Sequence, residues 1–210
     1  MEDEFIAWVH AKEDSGEAKA VVAQLAITKA LRLMQIASGF AKTEEGIEIE
    51  ISDNPKIEAL SEILDEITDE HKVIVWASFH ENYRQLRELC TKRKLEFVEL
   101  HGGITTKQKE ANMEAFENNR KVRVCIANPA AAGIGVNLVQ ASYSVFFSRN
   151  FSLEHDLQAE SRNYRGGSEI HEKVTRIDLV AEDTIDEQAL DAIANKQNIA
   201  DIILKIRCSK

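Results

Sequence analysis

The spacing of apolar residues changes near residue 73. Before that point it has a helical period. Val21, Leu25, Leu31 and Met34 fall roughly on one face, with Ile27 beside it, and Gly39 after Ser38 offers a stop. Residues 41–52 read as an exposed connection or a short hairpin. Asn54 followed by Pro55 is a helix start, an N-cap and then proline at the first helical position. Ile57, Leu60, Leu64 and Ile67 continue it as an amphipathic stripe.

From Val73 onward, short apolar runs alternate with helical patterns. Strands are expected at Val73–Ala77, Phe97–Leu100, Val122–Ala127, Tyr143–Phe147 and Val174–Val180. Between them, Tyr83, Leu86 and Cys90 mark one helix, and Thr105 with Gln108 forms a capping box for a second that packs through Met113 and Phe116. Thr184 with Glu187 caps a last helix running through Leu190, Ile193 and Ile203. Strands alternating with helices imply an α/β fold with a parallel sheet covered on both faces. Ligands then sit at the carboxyl ends of the strands, so the loops after Ala77, Leu100, Ala127 and Phe147 are where chemistry is expected.

Charge alters this picture in one respect. The net charge of −10 argues against a nucleic-acid partner, since phosphate affinity comes from Lys and Arg. Yet residues 1–70 hold 17 acidic and 6 basic residues, and residues 71–210 hold 19 and 20. The acidity belongs to the front segment, and the remainder is free to carry a local basic face. The cysteines, Cys90, Cys125 and Cys208, have no metal-ligand or framework spacing, which points to a reducing, intracellular setting. The acidic start Met1-Glu2-Asp3-Glu4 is unlike a secretory signal, and no apolar run approaches the roughly 20 residues of a membrane span.

The strongest candidate for chemistry is Gln158-Ala159-Glu160-Ser161-Arg162-Asn163-Tyr164-Arg165-Gly166-Gly167. A helix from Asp156 to Arg165, ended by the two glycines, puts Gln158, Arg162 and Arg165 on one face. Such a face is rich in donors suited to a phosphate chain; on spacing alone it equally fits a solvated face paired with Glu154 or Glu160. A second candidate is the run 128–138, where Gly133 and Gly135 permit close backbone approach to a ligand. It is not a dinucleotide fingerprint, because Leu138 stands where the third glycine belongs. His101-Gly102-Gly103 and Ser78-Phe79-His80 follow two further strands and fit either ligand contact or plain turns. Asp69-Glu70-His71 imitates part of a metal-holding acidic box but precedes a strand instead of ending one, so it reads as solvated. No Gly-x-x-x-x-Gly-Lys loop occurs, so the chain has no P-loop.

In this order the blocks resemble the C-terminal lobe of superfamily-two helicases, within the Swi/Snf-like DNA translocase branch, in its bacterial or phage form. Leu31 to Ile36 and Ser38 to Phe40 resemble the helix and turn that lead into that lobe, and Asn54-Pro55-Lys56 the start of its first helix. Val73 to Phe79 resembles the family's fourth motif, His101-Gly102-Gly103 the small block after the next strand and residues 128–138 the fifth motif, while Asn150 to Leu153 and then Asp156 to Ala159 lead into the sixth, which supplies arginine fingers. The chain departs from the pattern at Pro129 and Ala130, where a hydroxyl and a basic residue are usual, at Asn150-Phe151 in place of Asp-Trp, and at Ser168 in place of glutamine.

The resemblance implies a RecA-like three-layer sandwich, with a mostly parallel sheet of about five or six strands and an N-terminal helical extension. Residues 1–54 would be an inter-lobe lead-in and 55–210 the lobe. It implies catalytic roles for Arg165, as the finger, and for Arg162, its partner at the γ-phosphate. Gln158, Gly133 and Gly135 would lie at the nucleotide, and Ser78, Phe79, His101, Gly102 and Asn137 near the nucleic-acid track or the lobe interface. ATP and Mg2+ would be held mainly by an N-terminal lobe of the same polypeptide, so the isolated chain is expected to be inactive. The implied partner is DNA, double-stranded, with a monomeric motor in the cytoplasm of a bacterium or phage-infected host and no membrane. The alternatives are a lobe of an RNA or single-strand helicase, or a stand-alone α/β interaction module.

Overall fold

The computed structural model describes residues 16–43, 45–130, 138–149, 153–163 and 170–195, with side chains at 16–24, 26, 153, 154, 160 and 163 excepted. Helix α1 (Gly16–Ala37) opens the described chain. It stops where Gly39 takes φ +88°, a conformation that glycine reaches without a Cβ penalty. The turn is closed by Ser38 N–H bonds to the Met34 and Gln35 carbonyls and by Gly39 N–H to Ile36 O at 2.9 Å. Strands β1 (Phe40–Lys42) and β2 (Glu48–Glu50) then form the antiparallel hairpin expected within 41–52.

Helix α2 (Pro55–Ile67) starts as its sequence requires, with the Asn54 side chain accepting the Lys56 N–H at 3.1 Å. The alternation follows: β3 (Val73–Trp76), α3 (His80–Lys92), β4 (Glu96–Leu100), α4 (Thr106–Asn118), β5 (Val122–Ala127), β6 (Tyr143–Phe146), α5 (Leu153–Asn163), β7 (Thr175–Asp178) and α6 (Ile185–Ala194). Thr105 caps α4 by accepting the Gln108 N–H, but the reciprocal half of the capping box is not made, because the Gln108 amide turns to Asn112. Thr184 likewise caps α6, through the Asp186 N–H. The described part of that helix ends at Ala194, and Ile203 lies outside the described residues.

The five strands from β3 onward form one parallel sheet in the order β4–β5–β3–β6–β7. Helices α2 and α3 cover one face through Leu60, Leu64, Tyr83 and Leu86 against Val73, Val75, Ile126 and Val145. Phe116 of α4 and Ala159 of α5 cover the other, against Ile74, Trp76, Cys125 and Phe146. The crossover leaving β3 therefore runs over one face and those leaving β4 and β6 over the other. The carboxyl end of a strand where crossovers diverge is the usual ligand position in such sheets, and here that strand is β3.

Helix α1 packs on α6 through Ala30 and Met34 against Ile185, Ala189 and Ala192. This corrects the stripe expected for α1. Met34 is buried, but Leu25 and Ile27 face solvent, because the small residues Ala30, Ala189 and Ala192 set the line of closest approach. Among the described residues, no helix is long and apolar enough to cross a membrane. Cys90 and Cys125 are buried free thiols, and burial pushes Cys90 up to about 12.

Candidate functional site

At the carboxyl ends of β3 and β6, a polar network ties the lead-in turn to the lobe. Asn82, wholly buried on α3, donates to Ser38 O at 3.2 Å and accepts the Ser148 hydroxyl at 2.7 Å. Ser148 Oγ in turn accepts the Ser78 N–H at 3.0 Å, joining the loops after β3 and β6. Gln85 donates to Gly39 O and Asn54 to Ser38 O, so three amide side chains grip the turn after α1. Of the expected track residues, Ser78 belongs to this network. Phe79 is turned inward instead: its ring meets Phe40 edge to face at 5.6 Å and packs on the α1–α6 cluster.

After β4, the buried His101 ring stacks on Tyr83. Its Nδ1 accepts the Gly103 N–H at 3.1 Å, which leaves the proton on Nε2, 3.6 Å from Glu99 Oε1. Burial holds His101 below the ordinary histidine range. Gly102 is exposed and open, with no atom within 4 Å of the position a Cβ would take. Tyr83 donates to Ala77 O and accepts from the Asn128 amide at 2.5 Å, which links the ends of β3, β4 and β5. Burial raises the phenol, and the Asn128 bond opposes it.

Helix α5 begins just beyond β6. Its buried side chains among those described are Asp156, Ala159 and Arg162, at i, i+3 and i+6, while Gln158 is half-buried and Leu157 exposed. Arg162 thus lies on the packing stripe of the helix, not on an open donor surface, and its carbonyl accepts the Leu138 N–H at 3.3 Å. Arg165, Gly133, Gly135 and Asn137 lie outside the described residues.

Several residues of the site escape sequence reasoning. Asp156 accepts Arg149 Nε at 3.2 Å and an Arg176 nitrogen at 2.8 Å. Asp178 accepts both arginines as well, and both guanidinium groups lie over the Phe146 ring, at 4.9 and 4.2 Å. Beside them Lys56 pairs with Asp186 and donates to Phe147 O. Burial lowers both Lys56 and Arg149, and their carboxylate partners resist the shift. Lys56 does leave one sequence signal: it stands one turn ahead of Leu60, in line with the stripe Leu60, Leu64 and Ile67. The false acidic box is placed as expected. Asp69 and Glu70 are exposed, their carbonyls accepting Arg123, and His71 meets Ser142 Oγ at 2.9 Å. Among the described residues, no group of three or more His, Cys, Asp or Glu is placed to hold a metal ion.

A parallel α/β lobe whose crossovers diverge at β3, with an arginine-bearing helix after β6, is the class of half-site that two-lobed nucleotide motors assemble. The chain belongs to the helicase conserved C-terminal domain family, whose model matches residues 55–167, more than half of it. It is 28% identical over 134 residues to the human lymphoid-specific helicase, covering 64% of this chain and 16% of that protein. It is 27% identical over 174 residues to an uncharacterized ATP-dependent helicase of Mycoplasma pneumoniae, covering 82% of this chain and 16% of the relative. It is 23% identical over 155 residues to the chromatin-remodeling ATPase INO80 of Arabidopsis thaliana, covering 73% and 10%. The C-terminal part of the Fun30 ATPase domain shares the fold, with TM-score 0.63 and 23% identity over 72% of this chain and 52% of that one. The chain is thus a RecA-like C-terminal lobe of the Swi/Snf-like helicase type, and it spans 16% or less of these curated relatives.

Proposed function

We propose that this lobe completes the ATPase cleft of a DNA translocase, with Arg162 and Arg165 acting on the γ-phosphate and the loops after β3 and β4 contributing to the DNA track. The observation that carries the reading is the position of α5. Its Gln158–Arg162 segment follows the carboxyl end of β6, beside the strand where the crossovers diverge. The names of the relatives, an ATP-dependent helicase and chromatin-remodeling ATPases among them, support a nucleotide-driven motor on DNA.

In this reading residues 1–54 are the lead-in and 55–210 the lobe, and a preceding lobe brings the lysine loop and acidic box that hold ATP and Mg2+. Bound ATP supplies the phosphoanhydride whose cleavage drives the cycle. On closure of the lobes, Arg165 would donate to the γ-phosphoryl oxygens, and Arg162 would turn out of its packing stripe to brace beside it, with Gln158, Gly133 and Gly135 on the same side. Ser78, His101, Gly102 and Asn137 would lie toward the DNA or the lobe interface, with Phe79 supporting them from within through its packing on Phe40. Arginine fingers accelerate transfer roughly 10³- to 10⁵-fold, about 4–7 kcal/mol.

In the full-length ATPase, Arg165→Ala should abolish DNA-stimulated turnover and leave the lobe folded; near-normal turnover would overturn the assignment. The isolated chain should hydrolyse no ATP, since half the cleft is absent from it. Given its net charge of −10, it should bind duplex DNA only weakly.

A further inference from the structure

We propose that Asp156 is the positioning residue of the arginine helix, setting the rotation and height of α5 through its ion pairs with Arg149 and Arg176. This rests on the reading that Arg162 and Arg165 act at the phosphate. Three observations carry it.

The first is that apolar burial is slight among the described side chains of the helix. A surface helix is normally fixed by a wide apolar stripe. Among the described side chains of α5, the buried apolar one is Ala159, while Leu157 points to solvent at 48% exposure. A single alanine contributes little burial and no directional preference.

The second is the geometry of the replacement. Each Asp156 oxygen takes a different arginine, Oδ1 from Arg149 after β6 and Oδ2 from Arg176 on β7. Asp178 closes the ring by accepting both, and it stands opposite Phe146 in the β6–β7 register. Two directional bonds from two elements fix a carboxylate in position and orientation, as one bond or an apolar contact does not. The ring is therefore a clamp between α5 and the sheet edge, with its two cations stacked on Phe146.

The third is distance. Arg162 lies six residues on, about 9 Å along the helix axis, on the same buried stripe. Any tilt or slip at Asp156 is carried along the helix to Arg162. A buried ionic ring is weak evidence for stability, because desolvation offsets most of the attraction. Its gain lies in specificity of placement, and placement is what a transition-state contact needs.

The test uses the full-length ATPase with Asp156→Asn, which keeps the volume and one acceptor but loses the charge and the second acceptor. The expected result is a drop in kcat of roughly 10²-fold, the cost of displacing a catalytic group by about 1 Å, with KM for ATP unchanged. In the isolated chain, hydrogen exchange should show loss of protection in α5 while β3 and β5 stay protected. Arg162→Ala and Arg165→Ala serve as controls. If both retain turnover, the reading of the arginine helix fails. If they abolish turnover but Asp156→Asn keeps more than half of kcat, the positioning role alone is overturned. A rise in KM with kcat intact would also overturn it. Should Asp156→Asn fail to fold, Arg176→Lys keeps the charge but loses the fork. It should show the same kcat signature to a smaller degree, and an unchanged kcat there would sink the proposal.

Discussion

The imidazole of His101 lies flat on the ring of Tyr83, 4.4 Å between centroids and 5° from parallel. The stack joins α3 to the end of β4. Burial holds His101 below its ordinary pKa, outweighing the upward pull of Glu99. The folded protein therefore stays neutral there at a pH where the unfolded chain takes up a proton. Below about pH 6.5 stability should fall, and go on falling until the folded ring titrates as well. Urea midpoints at about pH 7.5 and about pH 5.5 should differ more for the wild type than for His101→Gln. Equal differences would remove His101 from the acid response.

Gly39 tests the grip on the lead-in turn. Its φ is +88°, and a Cβ there would lie 1.9 Å from Asn54 Nδ2. Gly39→Ala should cost about 2–3 kcal/mol, about 1–2 from the left-handed backbone and about 1 from displacing the Asn54 cap. Asn54→Ala should cost the cap and the bond to Ser38 O, and in the double variant the two costs should fall short of their sum. Thermal unfolding of the three variants measures this.

The architecture was legible in the sequence because it rests on local patterns. The apolar runs at 73–77 and 122–127 and the caps at Asn54, Thr105 and Thr184 each announce themselves within a few residues. The family blocks were legible for the same reason: each is short and lies at a strand end. The ionic ring was not, since Arg149 finds Asp178 across 29 positions and Lys56 finds Asp186 from the far end of the chain. Nor does charge spacing along α5 show that Arg162 sits on the buried stripe, because burial there depends on where the sheet edge lies.

Asn82 is the hub between the lead-in turn and the loop after β6, so its loss should be felt at both. Asn82→Ala removes a donor from Ser38 O and the acceptor of the Ser148 hydroxyl inside a buried site. The expected destabilisation is about 1–3 kcal/mol. Ser148→Ala should add little to Asn82→Ala if the two act as one network. Full additivity in urea unfolding would show that they act separately.

Lys56 and Asp186 offer the sharpest test of the buried charges. Both are nearly inaccessible, at 4% and 7%, and they join the first turn of α2 to the first turn of α6. Lys56→Met leaves Asp186 without its cation and should cost about 3–5 kcal/mol, because the strandedness of the remaining charge dominates. Asp186→Asn should cost less. Burial already lowers Lys56, so without its partner the amine can shed its proton and escape the penalty of an unpaired charge. That escape has a signature: the Asp186→Asn protein should gain stability as pH rises from neutrality toward the ordinary lysine range, since the unfolded amine binds a proton that the folded one has lost. The wild type, with its counterion in place, should gain less over the same window. Parallel stability profiles for the two proteins would show that Lys56 does not depend on Asp186 for its charge.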